Sequence, residues 1–177
     1  MPGSRRGDAV SASLRWAIAW LYAGFLFTGA LTVLLGLMLP RIAMLHHLTD
    51  SESGALLLIQ FAASACGALL VRRYFERTLL RGYALIAMGA GFLMLGPVTW
   101  APIGIGMGGL GLGIAMTSTS MLVGRIFPQS RGSALSILNL CWSIGAFVCP
   151  VLVARLPGRF SVDALCAPVA VLGAAFA

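Results

Sequence analysis

Charge is what this sequence has least of. It contains no lysine and five acidic side chains, Asp8, Asp50, Glu52, Glu76 and Asp163, and charged residues make up 10% of its 177 positions. Soluble domains carry about a quarter, so this chain lacks the polar surface to cover a globule in water. No Asp or Glu stands between Glu76 and Asp163, which also disposes of a nucleotide-like motif. Gly106, Gly108 and Gly111 match G-x-G-x-x-G, but that fingerprint needs a preceding strand and, about 20 residues on, an acid to hold a ribose hydroxyl. Pro97 and Pro102 make a poor setting for a central strand, and the acid is missing. The cysteines, Cys66, Cys141, Cys149 and Cys166, show no C-x-x-C spacing. They indicate neither a zinc site nor a disulfide framework, and read as small packing residues.

What the chain has instead is apolar length. Hydrophobic residues reach 59%, and the mean hydropathy is +0.96. They fall in runs at Trp16–Leu39, Ser53–Val71, Leu80–Trp100, Ile103–Val123, Gly132–Val153 and Ser161–Ala177. Each is close to the ~20 residues that cross a bilayer core. In lipid every backbone amide must find its partner within the segment, so each run predicts a helix. The expected fold is an all-α integral membrane protein, a bundle of six transmembrane helices over residues 13–177. Residues 1–12, small, polar and basic, predict a disordered cytoplasmic tail. The first run is too long for a signal-peptide core and predicts a retained span. The last stops inside an apolar run, which predicts a chain cut off in its sixth helix.

The net charge of +7 raises nucleic acid as a partner, but its distribution points to a membrane. All twelve basic residues are Arg. With the N-terminus inside, Arg5, Arg6, Arg15, Arg72, Arg73, Arg77, Arg81, Arg125 and Arg131 are cytoplasmic, against Arg41, Arg155 and Arg159 outside. Nine against three is the positive-inside pattern of a multi-pass protein in a cell membrane, the cytoplasmic membrane in a bacterium. Nucleic-acid binding needs a contiguous basic face, which this spacing does not offer.

Polar residues within the runs fall on stripes. Tyr22, Phe25, Gly29, Thr32 and Gly36 share a face of the first helix, and Gln60, Ser64 and Gly67 a face of the second. Ser136, Asn139 and Ser143 share a face of the fifth, with Trp142 adjacent. In lipid a polar stripe faces protein or a water-filled cavity. Asn139 at mid-membrane depth needs a partner, and an interhelical hydrogen bond and a ligand contact both supply one. The stretch "GIGMGGLGLG" places Gly104 with Gly108, and Gly109 with Gly113, at small-xxx-small spacing, which brings helix backbones close. It leads into hydroxyls at Thr117–Ser120 that bond back to the helix or face a cavity. Thr49-x-x-Glu52 has capping-box spacing before the second run, and Ser161 with Asp163 suits a helix start. His46–His47 reads as an interfacial loop or as a metal or pH site lacking a third ligand.

Six runs, a cytoplasmic N-terminus, short loops and a basic second connection resemble the N-terminal half of a major facilitator superfamily transporter. The most specific stretch, "PQSRGSALSILNLCWSIGAFVCPVLVAR", is similar to the fourth-to-fifth turn and fifth helix of fucose-permease-like members. The second connection resembles the superfamily's G-x-L-x-D-R-x-G-R-R. Gly67, Leu69 and Arg72 match it, while Val71 stands for the Asp, Tyr74 for the second Gly, and Phe75 and Glu76 for the closing basic pair.

The resemblance implies half of a twelve-helix fold, completed by a C-terminal six-helix half, which moves a small solute by alternating access around a midplane site. It implies that the first, second, fourth and fifth helices line the cavity, with Gly67, Arg72 and Arg77 at the inner-loop gate. The missing Asp removes the usual acid of that gate. A small polar solute such as a sugar needs hydrogen-bonding groups and an aromatic face. Asn139, Gln60 and Trp142, with Thr32 and Tyr22, are the candidate substrate-binding residues. No metal and no other cofactor is expected. The runs hold no carboxylate in their body for proton coupling, and no nucleophile–base pair for an intramembrane enzyme. A non-transporting membrane assembly subunit, or an inactive half-transporter fragment, is the alternative.

Overall fold

The computed structural model describes residues 3–95, 98–155 and 162–177, and for residues 3–13, 45, 95, 98 and 162–165 the backbone alone. Among the described residues every regular element is helical: α1 (Gly3–His46), α2 (Asp50–Leu70), α3 (Phe75–Leu95), a 3-10 turn (Val98–Trp100), α4 (Ala101–Ile126), α5 (Arg131–Arg155) and α6 (Val162–Phe176). Four stretches are long and apolar enough to cross a membrane: Leu14–Met44 of α1, and α2, α4 and α5. The α3 helix has 21 residues but carries Glu76, Arg77 and Arg81 in its first two turns. The described α6 has 15 residues. Among the described residues there are thus six helices, of which four have the spanning dimensions expected of all six.

Helix ends run past the apolar runs. The α1 helix starts at Gly3, within the stretch expected as a disordered tail. Adding a residue to an existing helix costs far less than nucleating one, and residues 8–15 hold no Gly or Pro. Likewise α3 starts at Phe75 rather than Leu80, because Arg and Glu are good helix formers whatever their polarity. It ends at Leu95, not Trp100, and the sequence places Pro97 just beyond.

Two connections are fixed by local chemistry. His47 stops α1 in the left-handed region, at φ 52°, and the Leu48 N–H then donates to Ala43 O at 3.0 Å. That is a Schellman stop, a position glycine usually fills. Thr49 next closes the expected capping box. Its N–H donates to Glu52 Oε2 at 2.8 Å, and its Oγ1 accepts from the Glu52 N–H at 3.3 Å. Ser161 and the loop holding Arg159 lie outside the described residues, and Asp163 falls in the first turn of α6, where the backbone alone is described.

Packing pairs set the direction of each helix. Thr32 and Leu35 of α1 lie by Gln60 and Leu56 of α2, an antiparallel order. On α4, Gly109 meets Gln60 and Gly113 meets Ser64 of α2, a parallel order. On α1, Tyr22 meets Ala134 and Gly29 meets Trp142 of α5, again parallel. The α3 helix runs antiparallel to α4, with Gly82 by Gly111 and Gly89 by Gly104. It is also antiparallel to α6, with Tyr83 by Phe176 and Ala87 by Gly173. Odd helices thus point one way and even helices the other. The α2, α4, α1 and α5 helices form one layer; α3 lies behind α4, and α6 packs on α3 and reaches α1.

This pattern repeats internally. Exchanging α1 with α4, α2 with α5 and α3 with α6 turns the α2–α4 crossing into the α5–α1 crossing and keeps α3 against α6, but the extensive α3–α4 packing has only a slight counterpart in α6–α1, so the repeat is partial. Because α1 and α4 run oppositely, the two three-helix units are inverted relative to each other. Phe27, Tyr83, Ile86 and Ala115 form a core where α1, α3 and α4 meet, and Phe25, Val123, Ala134 and Leu138 form another among α1, α4 and α5.

Candidate solute site

The candidate residues occupy two different settings. Gln60 is buried, 5% exposed, between α1 and α4. Its Nε2 donates to Thr32 O at 3.4 Å, and its Oε1 has no protein partner. A Cβ at Gly109 would collide with the Gln60 carbonyl, so close approach of α4 is what buries this amide. An apolar cavity of about 90 Å³ adjoins Gln60, walled by Leu31, Leu35, Ala90, Leu112 and Cys166 among others. That volume has room for a few waters and is too small for a sugar. The Thr32 hydroxyl is turned inward along its own helix, donating to Thr28 O at 2.8 Å.

Tyr22 and Trp142 each pack on the Phe25–Leu138 core. Tyr22 Oη donates to Ala134 O at 3.1 Å, tying α1 to α5. Trp142 is half-buried, with its backbone against Gly29 and its Nε1 buried and unpartnered. Asn139 sits one turn earlier on α5 but belongs to a different surface. Ala134, Leu138, Gly145 and Cys149 form the buried stripe of that helix. Ser136, Asn139 and Ser143 are all exposed on the opposite side. Asn139 and Gln60 therefore do not bond each other; Gln60 meets Thr32, while Tyr22 and Trp142 pack elsewhere, each against the Phe25–Leu138 core.

Of the buried hydroxyls, Thr28 escaped sequence reading, whereas Ser118 and Thr119 fall in the run at Thr117–Ser120. Ser118, fully buried in α4, leaves its Oγ unpartnered, while Ser120 Oγ donates back to Met116 O at 2.9 Å. Thr28, also fully buried, donates to Phe25 O at 2.7 Å. The hydroxyl run at Thr117–Ser120 was visible in sequence, but which member turns inward depends on the rotation of α4 against its neighbours.

At the end of the bundle where α2 gives way to α3 and α4 to α5, the gate candidates separate. Gly67 is buried against Leu110 of α4, whereas Arg72 and Arg77 are exposed. Tyr74 stands in the left-handed region at φ 56°. Its carbonyl accepts from the Thr78 N–H at 3.0 Å and starts α3. The position where the resembled motif has its second Gly is thus the position whose backbone favours one. Exposed arginines Arg15, Arg72, Arg73, Arg77, Arg81, Arg125 and Arg131 gather toward this end.

An all-helical bundle with four helices of spanning length and apolarity has the make-up of a membrane-embedded protein. The chain matches no protein-family model, no curated protein and no solved structure.

Proposed function

We propose that this chain is the N-terminal half of a secondary transporter of the major facilitator type, carrying a small polar solute such as a sugar by alternating access. The observation that carries the reading is the exposed polar stripe Ser136–Asn139–Ser143 on α5, a helix long and apolar enough to cross a membrane. An amide facing hydrocarbon at that depth is costly. A second wall with water or solute between removes the cost, and a C-terminal six-helix half would supply it. The inverted three-helix units support the reading, since transporter folds are commonly built from such repeats, and so does the left-handed backbone at Tyr74. The N-terminus and the arginine-rich end are then cytoplasmic.

The test uses the complete carrier reconstituted in vesicles with candidate neutral solutes. Asn139→Ala should weaken solute affinity by about 1–3 kcal/mol, one lost hydrogen bond, with insertion unchanged. Unaltered affinity in well-inserted Asn139→Ala and Gln60→Ala carriers would move the site to the Thr117–Ser120 run. Saturable uptake by this polypeptide alone would overturn the half-carrier reading.

A further inference from the structure

The arginine-rich end contains a cavity whose wall includes the gate candidate Arg77 but to which the transport reading assigns no ligand. It measures about 420 Å³ and opens between the start of α3 and the end of α4. Arg73, Arg77 and Arg125 line it together with Tyr74, Phe75 and Leu122. Arg125 is held in place by stacking, its guanidinium carbon 4.3 Å from the centre of the Phe75 ring. Phe75 itself is buried. Glu76 is the one acid in the wall, and among the described residues it forms no ion pair with these arginines.

Arg73, Arg77 and Arg125 give the cavity wall an excess of positive charge over Glu76, and an anion bound among them offsets their mutual repulsion. Guanidinium forks match phosphate oxygens in pairs. The start of α3 lies in the cavity wall, and the positive end of its helix dipole adds to the potential there. Just beyond the cavity the surface turns apolar. Leu80 and Met121 are 46% and 42% exposed, on the helices that form the cavity walls. A basic pocket bordered by apolar helix faces fits an amphiphile with a charged head better than it fits a free ion.

We infer that this cavity binds the phosphodiester headgroup of an anionic glycerophospholipid, with the acyl chains along Leu80 and Met121. The site stands whether or not the chain belongs to a carrier. The lipid would neutralise Arg73, Arg77 and Arg125 and clamp the start of α3 to the end of α4. Basic pockets between membrane helices are suited to such headgroups.

Native mass spectrometry of the full 177-residue chain, released from nanodiscs of mixed phosphatidylglycerol and phosphatidylcholine, tests this. Phosphatidylglycerol should be retained at least about tenfold in preference, as expected for losing or keeping one charge-assisted bond. Arg73→Gln, Arg77→Gln and Arg125→Gln should each lower that preference, whereas Arg131→Gln and Arg15→Gln, at the same end but outside the cavity, should not. Glycerol 3-phosphate and inorganic phosphate form the soluble arm. Displacement of the lipid by either at millimolar concentration would assign the site to a free phosphate and overturn the lipid. Equal retention of the two lipids overturns the site itself, as does an equal effect of all five substitutions. If a cavity variant fails to fold, the wild-type lipid ratio and the remaining single variants still decide.

Discussion

Two residues, His47 and Tyr74, hold backbone angles that cost a side-chain-bearing residue free energy. At φ 52° and 56° each pays the ~1–2 kcal/mol steric penalty of the left-handed region, which glycine escapes. His47→Gly and Tyr74→Gly should therefore each raise stability in detergent by roughly 0.5–1 kcal/mol, after the entropy that glycine returns to the unfolded chain. Valine at either position should lower it. Thermal melts of the purified chain check both signs, and a neutral or destabilising glycine would show that the side chain contributes more than its backbone costs. The pair read from the sequence as an interfacial loop or as a metal or pH site is thus divided, His46 ending α1 and His47 stopping it. Sequence alone did not show it, because Schellman stops are recognised by glycine and this one has none. The capping box at Thr49 was legible because its two residues and their spacing are the whole motif.

At the scale of elements, the glycines of α4 are divided between two partners. Gly109 and Gly113 take the backbone of α2, while Gly104 and Gly111 take that of α3 at Gly89 and Gly82. The small-xxx-small spacing predicted close contact, and the structure adds that α4 makes it on two sides at once. The α1–α5 crossing uses the same device through Gly29 and Gly145. A Cβ at Gly145 would run into the Leu26 carbonyl oxygen, and one at Gly29 into that of Trp142. Backbone cannot yield as a side chain can, so Gly145→Val should separate the helices and cost about 1–3 kcal/mol. Gly36→Ala and Gly54→Ala, which meet nothing within 4 Å, should be tolerated. Unfolding in a denaturing detergent series would rank them, and an unchanged Gly145→Val would mean that α1 and α5 do not cross there. Helix positions were legible because lipid-length apolar runs admit one secondary structure. Faces were less so. The Gln60–Ser64–Gly67 stripe reads equally as cavity lining or as contact, and much of it is spent on packing against α4.

For the whole molecule, the alternation of helix directions and the distribution of arginine make a joint statement. Packing pairs put the turn at His47–Thr49 at one end of the bundle and the α2–α3 and α4–α5 turns at the other. The arginines of those latter turns then share an end, although they are up to 59 positions apart in sequence, from Arg72 to Arg131. Periodicity located the spans without fixing which turns were neighbours; the charge bias and the up-and-down packing arrive at the same grouping from unrelated information. In the proposed membrane arrangement the charge bias sets the orientation, with the arginine-rich turns expected on the cytoplasmic side. In a cysteine-free version of the chain expressed in cells, a single cysteine at the exposed Ser51 should react with a membrane-impermeant maleimide added outside. One at the exposed Arg77 should react only after the cells are opened. Labelling of both from outside would break the alternation of α1 to α3, and the reverse pattern would invert the molecule. In that inverted arrangement the arginine-rich cavity would face away from the anionic cytoplasmic leaflet, leaving its three guanidinium groups without the surface potential that favours a lipid there.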